Sequence, residues 1–211
     1  ITAENVASRL NISRKRQEEF ALNSHNKAIE AKSNGYFRDE VASITNPETN
    51  EEIGHDLDGC MRESSLESMA RLKPAFSDNG VVTAATSSPL TDGSSFSLIA
   101  SQKAVNEFNL TPMAKIVSAA VVGVHPDEMG LGPIPSTRLA LKRAGLSVED
   151  LDVIELNEAF SSQSLACIDE LNLPIEKINI DGGAIALGHP LGASGARICL
   201  LYTSPSPRDR Y

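Results

Sequence analysis

Residues 178 to 202, INIDGGAIALGHPLGASGARICLLY, place a strand-forming triplet, a run of five glycines and an apolar helix in direct succession. That order restricts the fold more than any other stretch of the chain. Ile178, Asn179 and Ile180 read as a short strand, since β-branched residues suit a pleated, half-buried surface, and Gly182 and Gly183 stop it. Gly188, Gly192 and Gly195 are expected to supply positive φ angles and close backbone approach, holding His189 on unusual backbone. From about Ala193 the chain turns helical. Ala196, Ile198, Cys199, Leu200 and Leu201 make that helix apolar on nearly all sides, which predicts burial. Its N-terminus should face the loop and suit an anionic or oxyanion-bearing ligand. A glycine-rich turn with a satisfied structural histidine is the competing reading, and for such a loop taken alone it is the more economical one.

From Ser95 onward strand and helix candidates alternate: 96–100 extended, 101–108 helical, 116–124 extended, 136–144 helical, 153–156 extended, 159–171 helical, then the Ile178 strand. Alternation of this kind predicts a layered α/β domain. The preceding residues differ. Thr2 is placed to cap a helix carrying Val6 and Leu10, and Ser13 a longer one with Phe20, Ala21, Ser24, Ala28 and Ala31 at helical spacing, ended by Gly35. His25 reads as a solvent-face histidine on this second helix. Val41 to Thr45 is a strand candidate, and Glu48, Glu51, Glu52, Asp56 and Asp58 make an exposed acidic loop in which His55 lies at the surface. The loop lacks the spacing of a calcium-binding loop. Leu66, Met69, Ala70 and Leu72 form one face of a helix closed by Pro74, and Val81 to Ala84 is extended.

A net charge of −9 argues against a nucleic-acid partner, which would demand a basic face. No apolar run approaches a membrane span. Cys60, Cys167 and Cys199 are odd in number, widely spaced and without a C-x-x-C pair, so neither a disulfide framework nor a zinc site is indicated, and a reducing compartment fits. The chain opens at Ile1 without an initiator Met, so its true beginning is expected to lie upstream, with any targeting segment.

Two further features bear on chemistry. Asn157, Glu158, Ala159 and Phe160 lie where the 153–156 strand gives way to a helix, and ligands in α/β sheets bind beyond the carboxyl ends of strands. Asn157 there either caps the helix or aims its amide at a ligand or an ordered water. Ser87 and Ser88 sit in the turn TSSPLTDG, again just beyond an extended segment; the plainer reading is a solvated turn with Asp92 as a local cap.

NEAF at 157–160 followed by GGAIALGHPLGASGAR at 182–197 resembles the thiolase family. The resemblance extends to TAENVA at 2–7, EEFALNSH at 18–25, LKPAF at 72–76, VTAATSSPLTDG at 82–93 and MGLGPIPSTR at 129–138, nearly the whole chain up to about Leu201. It implies thiolytic cleavage of a 3-oxoacyl-CoA by CoA to acetyl-CoA and a shortened acyl-CoA, as in fatty-acid β-oxidation, or the reverse Claisen condensation. In that chemistry a cysteine thiolate takes the acyl group, His189 matches the histidine that activates it, and Asn157 matches the asparagine that holds an oxyanion-stabilising water. Ser88 falls on the serine that contacts pantetheine, Met129 and Phe160 on residues lining the acyl pocket, and Arg62 on an arginine near the CoA adenine. CoA is a substrate, and no further cofactor or metal is implied.

The departures are as informative. The nucleophile's V-C-x-S-G-like context and the C-x-G-G-G-x-G context of a second, acid/base cysteine are absent from the sequence, and Cys60, Cys167 and Cys199 match neither. Residues 203–211, TSPSPRDRY, cannot continue the preceding helix through two prolines and read as foreign to the fold. The implied architecture is the layered αβαβα thiolase fold, of which residues 1–88 would form the CoA-covering loop domain and 89–202 most of the second half, with the first half missing. These residues alone are therefore expected to be inactive. The resemblance further implies a homodimer or homotetramer, cytoplasmic if bacterial and mitochondrial or peroxisomal if eukaryotic. TSSPLTDG and MRESSLE lean toward a degradative 3-oxoacyl-CoA thiolase, with an acetoacetyl-CoA thiolase as the alternative. From a different class, the glycines alone would suit a non-catalytic nucleotide-binding or interaction fragment, although G-A-S-G with no following strand lacks a dinucleotide fingerprint.

Overall fold

A computed structural model describes residues 1–38, 40–53 and 59–200. His55, Asp56, Asp58 and the 203–211 tail lie outside them. The described residues form eight α-helices: α1 (Thr2–Arg9), α2 (Arg14–Ser33), α3 (Leu66–Ala70), α4 (Gln102–Glu107), α5 (Pro133–Ala144), α6 (Ser161–Leu171), α7 (Ala184–Leu187) and α8 (Ser194–Leu200). Among them none is long and apolar enough to cross a membrane.

The core assembles on α6, which is buried at Ser161 to Ile168 and again at Leu171. Both α1 and the 3-10 turn Pro126–Leu131 pack on it, as do α2 and α5. Val6, Phe20, Ala21, Met69, Ile134, Leu165, Cys167, Ile168, Ile178 and Ile185 form one apolar cluster. Each large aliphatic among them contributes about 1.5–3 kcal/mol by leaving water. The predicted face of α2 is the buried one, and Ser13 Oγ accepts from Arg16 N at 3.3 Å as its cap. Arg14 guanidinium donates to the carbonyls of Met69, Ala70 and Leu72 at 3.0, 3.1 and 2.7 Å, satisfying the orphan acceptors that end α3. A bidentate Arg16–Asp169 pair, both bonds 2.6 Å, ties α2 to α6.

Several expectations need correction. Thr2 is the first helical residue rather than a cap, since Ile1 holds the cap position without a side-chain bond. Of the apolar face predicted for α3 only Met69 is buried. His25 is buried at 4% exposure, because the covered face of α2 that carries Gln17, Ala21, Ser24 and Ala28 is wide enough to take in His25 at its edge. The strand candidates do not form ladders among the described residues; pairing is confined to isolated bridges, including parallel Ile154–Ile178, parallel Leu90–His189 and antiparallel Ser87–Phe160. The segments 96–100 and 116–124 have no assigned secondary structure or pairing, and Phe96 and Val121 are 90% and 95% exposed. A β-rich pattern sets extended backbone, but a sheet needs a neighbouring strand and a covering layer. No such neighbour stands beside these two segments among the described residues.

Where the 153–156 and 178–180 segments meet, a side chain replaces the ladder. Ile154 N donates to Lys177 O at 2.9 Å and Asn179 N to Ile154 O at 3.0 Å. Asn179 then turns left-handed, with φ 43°. Its amide continues the pairing, Oδ1 accepting from Leu156 N and Nδ2 donating to Leu156 O, both at 2.8 Å. The strand ends and the chain is delivered to Gly182 and Gly183.

Candidate active site

Three segments converge: the turn 86–93, the NEAF corner at 157–160 and the loop 184–195. Gly188 makes the convergence possible. Its φ of 90° and ψ of 163° lie where only glycine is at ease, and a Cβ there would meet Thr91 Cγ2 at 2.5 Å. His189 follows at once, and its N–H donates to Pro89 O at 3.0 Å, joining the loop to the turn. Gly192 and Gly195 differ from expectation: neither has a positive φ, and nothing lies within 4 Å of a Cβ built on either. The loop needs one glycine for its geometry at this point, not three. The helix that follows, α8, is also not buried; Cys199 and Gly195 are exposed, because no described element covers its outer face.

The imidazole of His189 is held at both nitrogens. Ser194 Oγ donates to Pro190 O at 3.1 Å, so its oxygen is free to accept the Nδ1 proton of His189 at 2.6 Å. With the proton on Nδ1, the Nε2 lone pair faces Asn157 Nδ2 at 3.3 Å. Burial, with the Arg197 cation as the second cause, holds the His189 pKa below the ordinary imidazole value. The side chain is thus a neutral base near neutral pH, with its basic nitrogen pointing at an amide it contacts only loosely.

Asn157 does not cap α6, since Phe160 occupies the cap position. Its Oδ1 is buried and accepts no hydrogen bond among the described residues, which costs about 1–3 kcal/mol unless a donor reaches it. A cavity of about 830 Å³ opens beside Asn157, with Thr91, Asp92, Pro190 and Arg197 on its wall. Asp92 therefore belongs to the cavity wall.

The remaining predicted residues sort by distance from this pair. Ser87 is local to its turn, donating to Thr83 O at 2.8 Å. Ser88 reaches across to the NEAF corner, where its N–H and Oγ–H both donate to Ala159 O at 3.1 Å. Phe160 stacks edge-on against Phe76, ring centres 5.9 Å apart. Met129 is 65% exposed on the 126–131 turn and Arg62 is exposed, its charge reaching His25. Neither of these two lines the cavity beside Asn157. Among the cysteines, Cys167 is buried with its pKa pushed up to about 11, mainly by burial, so it holds negligible thiolate at neutral pH. Cys199 is exposed and Cys60 half-buried.

Sequence reasoning passed over three residues that build the site from behind: Glu158, Ser24 and Asn179. Glu158 is 2% exposed and accepts from Ser24 Oγ at 2.6 Å, Asn179 Nδ2 at 2.8 Å and Ile185 N at 3.2 Å. A signal was present in the carboxylate's place directly beside Asn157, but its partners lie far off in the chain.

Family models for the thiolase N-terminal domain and the thiolase C-terminal domain match residues 1–103 and 110–205. The chain is 49% identical over 212 residues to 3-ketoacyl-CoA thiolases of Serratia proteamaculans (strain 568) and Yersinia enterocolitica, covering 94% of this chain and 53% of each relative. Human mitochondrial 3-ketoacyl-CoA thiolase superposes with a TM-score of 0.86 at 41% identity, over 96% of this chain and 51% of that one. The Bacillus anthracis acetyl-CoA acetyltransferase superposes with a TM-score of 0.88, also at 41% identity, over 96% and 52%. The chain spans about half the length of the relatives it matches. Two successive family models in their proper order, on a backbone that solved thiolases share, establish that the chain belongs to the thiolase family.

Proposed function

We propose that these residues supply the histidine base and the oxyanion-side asparagine of a degradative 3-oxoacyl-CoA thiolase. The observation that carries the reading is the chain of bonds from Asn157 Nδ2 through His189 to Ser194 and Pro190, which fixes the ring and turns its Nε2 lone pair toward Asn157 across a long, readily exchanged contact. Nε2 takes the proton of a cysteine thiol. The thiolate attacks the 3-oxo carbon, the C2–C3 bond breaks with its electron pair moving to the acetyl-CoA enolate, and the acid/base cysteine that the resemblance implies protonates C2 to release acetyl-CoA. That cysteine then takes the proton of the CoA thiol, and the CoA thiolate displaces the acyl group from the enzyme sulfur, which recovers its proton from His189. Asn157 supports this through its buried, otherwise unbonded Oδ1, an acceptor suited to holding a water whose hydrogen meets the enolate oxygen.

Ser88, Phe160, Met129 and Arg62 serve CoA and acyl binding in this reading: Ser88 at pantetheine, Phe160 and Met129 at the acyl chain, Arg62 near the adenine. Residues 1–88 act as the loop domain over CoA, and 89–202 as the second catalytic half. The similarity to an acetyl-CoA acetyltransferase favours a second reading, an acetoacetyl-CoA thiolase. Turnover of the full-length protein on a series of 3-oxoacyl-CoA esters separates the two. Thiolysis of medium and long chains supports the first; exclusive turnover of acetoacetyl-CoA overturns it in favour of the second.

A further inference from the structure

Glu158 immediately follows Asn157, yet its carboxylate is almost fully buried. A lone buried carboxylate is expensive, and a well-packed apolar side chain would often be the more stable choice. Here the carboxylate meets three donors on three separate elements: Ser24 Oγ on α2, Asn179 Nδ2 at the end of the Ile178 segment and Ile185 N in α7. Ser24 in turn accepts from Gly183 N at 3.0 Å, and a Cβ on Gly183 would lie 2.1 Å from the Glu158 carboxyl carbon. Asn179 clamps both backbone groups of Leu156. Asn157 is therefore pinned on one side through Leu156 and on the other through Glu158, while the same carboxylate holds α7, which runs directly into Gly188 and His189. Lys27, whose Nζ donates to Ile178 O at 2.8 Å, places a half-buried cation within electrostatic reach.

We propose that Glu158 is a positioning residue for acyl transfer: clasped by Ser24, Asn179 and Ile185, its carboxylate locks the NEAF corner to α7 and so fixes Asn157 Nδ2 against His189 Nε2. The proposal rests on the thiolase reading above. Burial raises the Glu158 pKa while the bonds from Ser24, Asn179 and Ile185 oppose that rise. All three partners donate, so the ionised, acceptor-only form is the one the pocket satisfies. Glu158→Gln keeps the shape but turns an N–H toward a donor whichever way the amide lies.

The test is a double-mutant cycle on the full-length protein, with kcat and KM measured for thiolysis and circular dichroism to confirm folding. Glu158→Gln should lower kcat about 10-fold to 100-fold, as a misplaced reacting group does, with KM for CoA nearly unchanged. In an Asn157→Ala background the same substitution should cost clearly less kcat than it does alone, because one of the two groups it positions is gone and only the hold on α7 and His189 remains. A structural role alone would lower kcat equally in both backgrounds or act through stability, and either result overturns the proposal. Should Glu158→Gln not fold, Ser24→Ala removes one arm of the clasp and should show a smaller kcat loss with the same non-additivity; an additive loss overturns the proposal equally. Wild-type turnover and its collapse in His189→Ala report on the thiolase reading itself. If they fail, both fall; if they hold and the cycle is additive, only the positioning role falls.

Discussion

At the level of single residues, base catalysis depends on which nitrogen of His189 carries the proton. Ser194 fixes it on Nδ1, so activity should require neutral His189 and the acid limb of the rate–pH profile should lie below the ordinary imidazole range. A limb displaced upward would contradict this. Stability follows the same group. Folding depresses the His189 pKa, so as pH falls the unfolded chain binds its proton first; the contribution is whole above the ordinary imidazole value and is lost as pH drops through the depressed one. Urea midpoints measured across that window should fall less steeply for His189→Ala than for wild type. His25, held low by burial and by Arg62, adds a parallel loss. Asn157→Ala should lower kcat by less than the about 10²-fold to 10³-fold expected when a direct oxyanion donor is removed, since it acts through water. His189 and Asn157 were legible because each sits in a motif whose neighbours are backbone-determining glycines or a strand end. Glu158 and Ser24 were not. They meet across 134 positions of sequence, and helical spacing puts Ser24 on the covered face of α2 without telling which carboxylate it meets there.

At the element scale the loop before His189 depends on a single backbone geometry. Gly188→Ala forces a side chain into a region that only glycine tolerates and drives its Cβ into Thr91. We expect destabilisation of about 1–3 kcal/mol, read as a lowered urea midpoint, together with loss of the His189–Asn157 contact. Gly192→Ala, on open backbone, is the control and should be near neutral. Equal midpoints for the two variants would contradict the assignment. Helices proved more legible than strands for a physical reason. Local bonds and caps such as Ser13 and Asn172 complete a helix from its own residues, whereas 96–100 and 116–124 depend on partners that their sequence does not contain. Of the strand expected over Ile178, Asn179 and Ile180, only Ile178 is extended. Its pairing was not legible, because the left-handed Asn179 substitutes an amide for the next ladder bond.

At the scale of the whole molecule, apolar residues on 96–100 and 116–124 face solvent, including Phe96, Leu98, Ile116 and Val121. A chain of these 211 residues alone should self-associate at micromolar concentration, and a sharp monomer peak in light scattering would contradict that. Whether His189 generates the nucleophile of a thiolase is decided in the full-length protein by the single-turnover rate of acyl transfer to the enzyme. His189→Ala should lower that rate by orders of magnitude with CoA affinity nearly unchanged, since the lost interaction belongs to the transition state. Near-normal acyl transfer in a folded His189→Ala protein would show that the glycine loop and its histidine are structural.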